Sequence, residues 1–167
     1  TVRFTGPGGD AKLLGTYFAD DGQHSASRLL VDHAQPHCKP DVLYKGALQG
    51  AGARSVWIGD VLIGPDAVGT DSYEANRNLV LTDGARAESI PNLEIETGDI
   101  RGAGHASATG RFDDEQLFYL MSRGMEETEA MAMIVRGFVE PIAKELPMES
   151  ALELNRLIEL QMEGAVG

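Results

Sequence analysis

From Val42 to about Ile100 the apolar residues arrive in short bursts: VLY at 42–44, SVWI at 55–58, VLI at 61–63, NLVL at 78–81 and LEIE at 93–96. Gly, Asp, Asn or Pro bounds each burst, in IGD, IGPD, TDGA and IPN, which is the punctuation of strands joined by tight turns. The bursts are too short for helices, and no helical stretch separates them as it would in alternating βαβ units. The pattern predicts an all-β region built as a sandwich, a barrel or a solenoid. Small residues at GALQGAGARS and GARAES, where coils would stack closely, favour the solenoid, although no strict repeat is visible.

After Phe112 the period changes to that of helices. Asp113 with Gln116 three residues on reads as an N-cap and its capping-box partner, and Asp114 and Glu115 complement the positive end of the helix dipole. Leu117, Leu120 and Met121 share a face, and Gly124 supplies a C-terminal stop. A second helix is expected from Glu126, with Ala130, Ile134, Phe138 and Ile142 as its apolar stripe and a kink or break at 137–141 caused by Pro141. Pro147 precedes a third helix over Met148–Met162, with Leu154, Leu157 and Ile158 inward. Leu152 and Leu160 widen its apolar arc beyond what a small helical unit needs for its own core, which suits a surface presented to a partner protein. The division that follows is a β core over 1–112 and a helical domain over 113–167.

Composition narrows the function. Fourteen Lys and Arg against 26 Asp and Glu give a net charge of -12 with no basic cluster, which argues against nucleic acid. No apolar run nears the roughly 20 residues that cross a bilayer, and TVRFTGPGGD lacks the layout of a signal peptide, so the expected location is the cytoplasm and no membrane is expected as a partner. The chain opens without Met, inside what reads as the end of a strand, as a fragment of a longer protein would. One cysteine, Cys38, excludes an internal disulfide and a four-cysteine cluster site within the chain.

The candidate chemistry is sparse. His33, His37 and Cys38 have a spacing that a metal could use on a helix, but HAQPHCKPD carries two prolines and is a poor helix. No GxSxG elbow occurs, and GPGG and GAGAR lack the Lys-Ser/Thr of a phosphate-binding loop. The acidic runs at 113–115 and 126–129 sit at helix starts, and no carboxylate pair shows acid/base spacing. His105 stands apart in GAGHASATG. On composition alone a satisfied structural histidine is the simpler reading, yet its neighbours are too small to bury it, which fits exposure to a groove or a partner.

Read in order, HAQPHC, DVLYKGAL, TDSYEANRNLVLTDGARAESIPNLEIETGDI and GHASATGRFDDEQLFYLMSRG resemble the SufB/SufD family of iron–sulfur cluster assembly proteins, in its SufD branch. The resemblance runs from about Gln23 onward. It implies a right-handed parallel β-helix followed by a small C-terminal helical domain, and a non-enzymatic scaffold that pairs with a SufB-like paralogue and docks the ATPase SufC. It places His105 at the paralogue interface as an imidazole donor to a transient iron–sulfur cluster shared with SufB, with none bound stably by this chain alone. The helical residues Ile134, Phe138 and Ile142 are the expected SufC contacts, and a homodimer is expected where the paralogue is absent. Asn76 and Ala106 stand where SufB carries a functional cysteine and glutamate, and Ala103 where many SufD chains carry a cysteine. The segment from EAMAMIV onward looks more like SufB. The rival readings are a β-solenoid acyltransferase or lyase using His105 as general base, and an interaction module in which His105 is inert.

Overall fold

The computed structural model describes residues 1–163. Eight strands come first: β1 (Val2–Phe4), β2 (Asp10–Ala19), β3 (His24–His33), β4 (Lys39–Leu48), β5 (Arg54–Ile63), β6 (Asp71–Val80), β7 (Arg86–Ile95) and β8 (Gly102–Arg111). Every pairing is parallel, in two four-stranded sheets of order β1-β3-β5-β7 and β2-β4-β6-β8. Consecutive strands lie in opposite sheets, so the chain winds as a β-solenoid of about four turns, as expected. Val31 lies beside Val2 on one side and Val61 on the other, a coil of about 30 residues.

The solenoid closes because its corners are sharp. Gly22, Gly50 and Gly84 take positive φ at one corner, where side chains are strained. At Gly50 a Cβ would also press on the Asp21 backbone at 2.8 Å. Asp21 secures this corner, its Oδ1 accepting the Gly52 N–H at 2.5 Å. The opposite corner carries His37 at φ 59, its ring against Gly69, itself at φ 69.

Two turn signals read from the sequence fall inside strands. Gly59 and Asp60 lie within β5, which absorbs the bursts at 55–58 and 61–63 into one strand, and Pro91 and Asn92 lie within β7. Pro91 is tolerated because β7 is an edge strand, where a missing N–H costs no ladder bond on the open side. Gly59 serves the interior, as described below.

Alternate residues of each strand point between the sheets, where Phe4, Leu29, Val31, Val42, Trp57, Val61 and Ile63 form the main core. The outer face of the β2-β4-β6-β8 sheet is apolar at Ala47 and Leu79 and is covered by helices. These are α1 (Asp114–Ser122), α2 (Glu127–Ala143) and α3 (Met148–Glu163). Asp113 caps α1 as predicted, its side chain accepting the Glu115 N–H at 2.9 Å.

The residues α2 buries are Ala130, Ala132, Val135, Val139 and Ile142, which include Ala130 and Ile142 of the predicted stripe. Ile134 and Phe138, the other two, are half-buried and pack against the edge of the same cluster. The helix is continuous through Pro141, where a kink or break was expected. Pro141 falls in its last turn, so the missing N–H removes one terminal bond instead of splitting the helix. Ile158 and Met162 of α3 pack inward, whereas Met148, Leu152, Leu157 and Leu160 are exposed. None of the described helices is long and apolar enough to cross a membrane.

Candidate functional site

The interior changes character towards the last coils. On β6 the inward positions are Ser72, Glu74, Asn76 and Asn78, all buried and all polar. Asn78 Nδ2 donates to Asn76 Oδ1 at 2.9 Å and to Ser89 Oγ on β7 at 3.2 Å, and lies 3.4 Å from Thr109 Oγ1 on β8. Ser89 donates back to Asn76 Oδ1. The Tyr17 hydroxyl donates to Asn78 Oδ1 at 2.5 Å and accepts from Asn76 Nδ2 at 3.1 Å. Buried amides are costly unless bonded, and this network bonds them while tying both sheets to the final coil. Burial also pushes the Tyr17 phenol above its ordinary pKa.

Glu74 lies outside that network. Its residue is 1 % exposed, and neither carboxyl oxygen has a hydrogen-bond partner among the described residues. Its carboxylate reaches across to β5 because Gly59 leaves room. A Cβ on Gly59 would sit 2.6 Å from Glu74 Oε2 and 2.8 Å from Trp57 Cζ2. Burial, with a smaller push from Asp60, raises the Glu74 carboxyl to about 7.

His105 lies one rung further on, the register neighbour of Glu74. Parity in the parallel ladder puts the two on the same, inward face. Among the described residues no strand follows β8 in its sheet, which leaves this coil end open and His105 exposed. Ala103 shares this inward face, whereas Ala106 faces outward and Asn76 lies within the network above. Asn76 and Ala106 therefore fall on opposite faces of the sheet.

His33, His37 and Cys38 do not converge. His33 is fully buried against Phe4, ring centroids 5.2 Å apart, with neither ring nitrogen partnered among the described residues. Burial holds it below the ordinary histidine pKa. The His37 ring lies on Gly69, and Cys38 Sγ is buried 3.6 Å from the carbonyls of Gly6 and Pro36. Among the described residues no group of three or more metal-donor side chains comes together.

A second feature lies on the outer surface. An apolar groove of about 820 Å³ runs between α1 and α2, lined by Leu79, Phe112, Tyr119, Leu120, Ile134 and Phe138 among others. Phe118, also on α1 but outside this lining, is 74 % exposed. Of the three helical contacts expected from the sequence, Ile134 and Phe138 line this groove, while Ile142 is buried beneath α2. Beneath Phe138, the Lys45 ammonium donates to its carbonyl at 2.6 Å and lies 4.8 Å from its ring centre, joining β4 to α2.

Residues 1–138 match the SUF system FeS cluster assembly, SufBD core domain. Over 97% of its length the chain is 66% identical to an iron–sulfur cluster assembly SufBD family protein of Mycobacterium tuberculosis, covering 43% of that relative. A protein of the same description in Mycobacterium leprae is 65% identical over 91% of the chain, which covers 40% of it. A second SufBD family protein of Mycobacterium tuberculosis is 44% identical over 99% of the chain, which covers 19% of it. The chain thus spans less than half the length of these relatives.

Proposed function

The chain belongs to the SufB/SufD family of iron–sulfur cluster assembly proteins, and from that premise we propose that it is a SufD-like, non-enzymatic scaffold subunit of a cytoplasmic SUF complex. The observation that carries the reading is His105, an exposed imidazole on the inward face of the last strand, at the open end of the solenoid.

An imidazole suits iron, and since the one thiol of these residues is buried at a distant corner, thiolate ligands come from outside them, in this reading from a partner. The open edges of β7 and β8 offer unpaired backbone groups to that partner, a SufB-like paralogue or, in its absence, a second copy. Two SufBD family proteins in one organism, 66% and 44% identical to this chain, support a paralogous pair. Asn76 and Ala106, in place of the SufB cysteine and glutamate, support the SufD side of it. The cluster is cargo, formed at the interface and passed on.

Residues 1–112 form the pairing core in this reading, and 113–167 the SufC docking region. The α1–α2 groove, with Ile134 and Phe138 in its wall, receives the ATPase. Lys45 and Phe138 transmit its movements to the sheet that ends in β8.

Calorimetric titration with the SufC ATPase of the same organism tests this docking. Tyr119→Asp, at a half-exposed groove position, is expected to weaken binding by at least about 2 kcal/mol, as loss of an aromatic anchor does, with no fall in melting temperature. Equal binding by both proteins would remove the groove from the account.

A further inference from the structure

We propose that the interior of the solenoid holds a bound-water site bridging the Glu74 carboxyl and the Trp57 indole N–H, beside Gly59. The site is built from the two sheets facing each other and does not involve His105.

Trp57 and Gly59 point inward from β5, and Glu74 points inward from β6 in the opposite sheet. A Cβ on Gly59 would lie 2.8 Å from Trp57 Cζ2 and 2.6 Å from Glu74 Oε2, so the bare backbone there lets the carboxyl approach the indole. Cζ2 belongs to the edge of the ring that leads to the indole nitrogen. The two polar groups are thus close neighbours, yet they do not bond each other. Trp57 Nε1 and both Glu74 oxygens are buried and have no hydrogen-bond partner among the described residues.

That pattern is local. Further along the same face of β6, Asn76 and Asn78 are bonded to each other, to Tyr17 and to Ser89. Buried polar atoms without a partner are costly, and neighbouring ones too far apart for a direct bond are joined by water.

The donor inventory selects the ligand. An indole N–H only donates, and an ionised carboxylate only accepts. A cation would suit the carboxylate and oppose the N–H. An anion would suit the N–H and meet the negative charge of the carboxylate. Water donates and accepts, and a buried water needs two to four polar partners, which these three atoms supply. Bound there, it gives a carboxyl sealed inside the core a partner with which to exchange its proton without unfolding.

Trp57 is the only tryptophan, so its indole N–H gives a single resonance. The experiment measures magnetisation transfer from water to that proton in the isotope-labelled chain, by NOESY and ROESY. Dipolar transfer from a bound water is expected in the wild type, with cross-peaks of opposite sign in the two spectra. It is expected to persist in Glu74→Gln, whose amide oxygen still accepts from water. This variant has no carboxyl proton, so persistence separates bound water from relay through the acid. In Glu74→Leu, which removes the polar partner, the transfer is expected to be lost.

No transfer in the wild type would mean that the indole N–H bonds the carboxyl directly, and would overturn the site. Transfer lost in Glu74→Gln, or undiminished in Glu74→Leu, would overturn it as well.

Discussion

Trp57→Ala is expected to cost about 4 kcal/mol of folding stability, the range for truncating a buried large aromatic residue. The ring is completely buried at the centre of the solenoid. It packs against Tyr44 with centroids 5.8 Å apart and reaches the space left open by Gly59. Little around it can collapse into the cavity, because its coil neighbours are fixed by in-register ladders above and below. The indole nitrogen has no partner among the described residues, so truncation frees no bonded group and the loss is one of packing. Equilibrium urea unfolding followed by circular dichroism reads it directly. A cost below about 1 kcal/mol would mean that the site repacks and that the core is not held as rigidly as the ladders imply.

The second large effect is on pH dependence. Glu74 has its pKa raised from 4.5 to about 7 by burial. As pH rises past 4.5 the unfolded chain ionises this residue while the folded chain keeps its proton, so stability is lost between 4.5 and 7 and stays level above. A shift of this size corresponds to about 3 kcal/mol. Glu74→Gln removes the ionisation, so its stability relative to wild type should rise by about that amount between pH 4.5 and pH 8. His33 acts in the opposite sense. Its lowered pKa means that the unfolded chain takes up a proton first as pH falls below 6.5, so acid destabilises the fold. Both proteins contain His33, so the difference between them isolates Glu74. A pH-independent difference would show that the carboxylate is ionised and solvated in the folded chain.

Much of the fold was legible because the chain obeys local rules. Apolar bursts became strands, and Asp113 became an N-cap. Small residues at corners where coils approach closely favoured the β-solenoid over a sandwich or a barrel, and the resemblance to the SufB/SufD family decided it. Errors arose where tertiary contacts overrode local signals. Gly59 and Pro91 look like turn residues, but one makes room for Trp57 and Glu74 and the other lies on an edge strand. The α2 stripe was read along a spacing of four, which found Ala130 and Ile142, while the surface beneath the helix also buries Ala132, Val135 and Val139 and leaves Ile134 and Phe138 half-buried. Pro141 came too late in the helix to break it.

The site was half legible. His105 stood out because its neighbours were too small to cover it, and it is exposed. Glu74 was missed because carboxylates were sought as pairs or helix caps, and polar alternation in a strand normally marks a solvent face. The signal was present in SYEANRN, where Ser72, Glu74, Asn76 and Asn78 alternate with residues that include Ala75 and lead to Leu79. The outer face of β6 is exposed at Asp71, Tyr73 and Arg77 and meets the helices only near its end, at Leu79, while its polar residues turn inward towards the opposite sheet.

The central claim is that His105 serves cluster assembly, and the most direct test is cluster formation on the full-length protein assembled with its SufB-like paralogue and SufC. Iron and sulfide bound per complex, together with the visible absorption of the cluster, are measured for wild type and His105→Ala. The account predicts at least about a tenfold loss of cluster, the scale of losing a metal-site group, with unchanged assembly of the three subunits and unchanged melting temperature. Equal cluster on both complexes would contradict it.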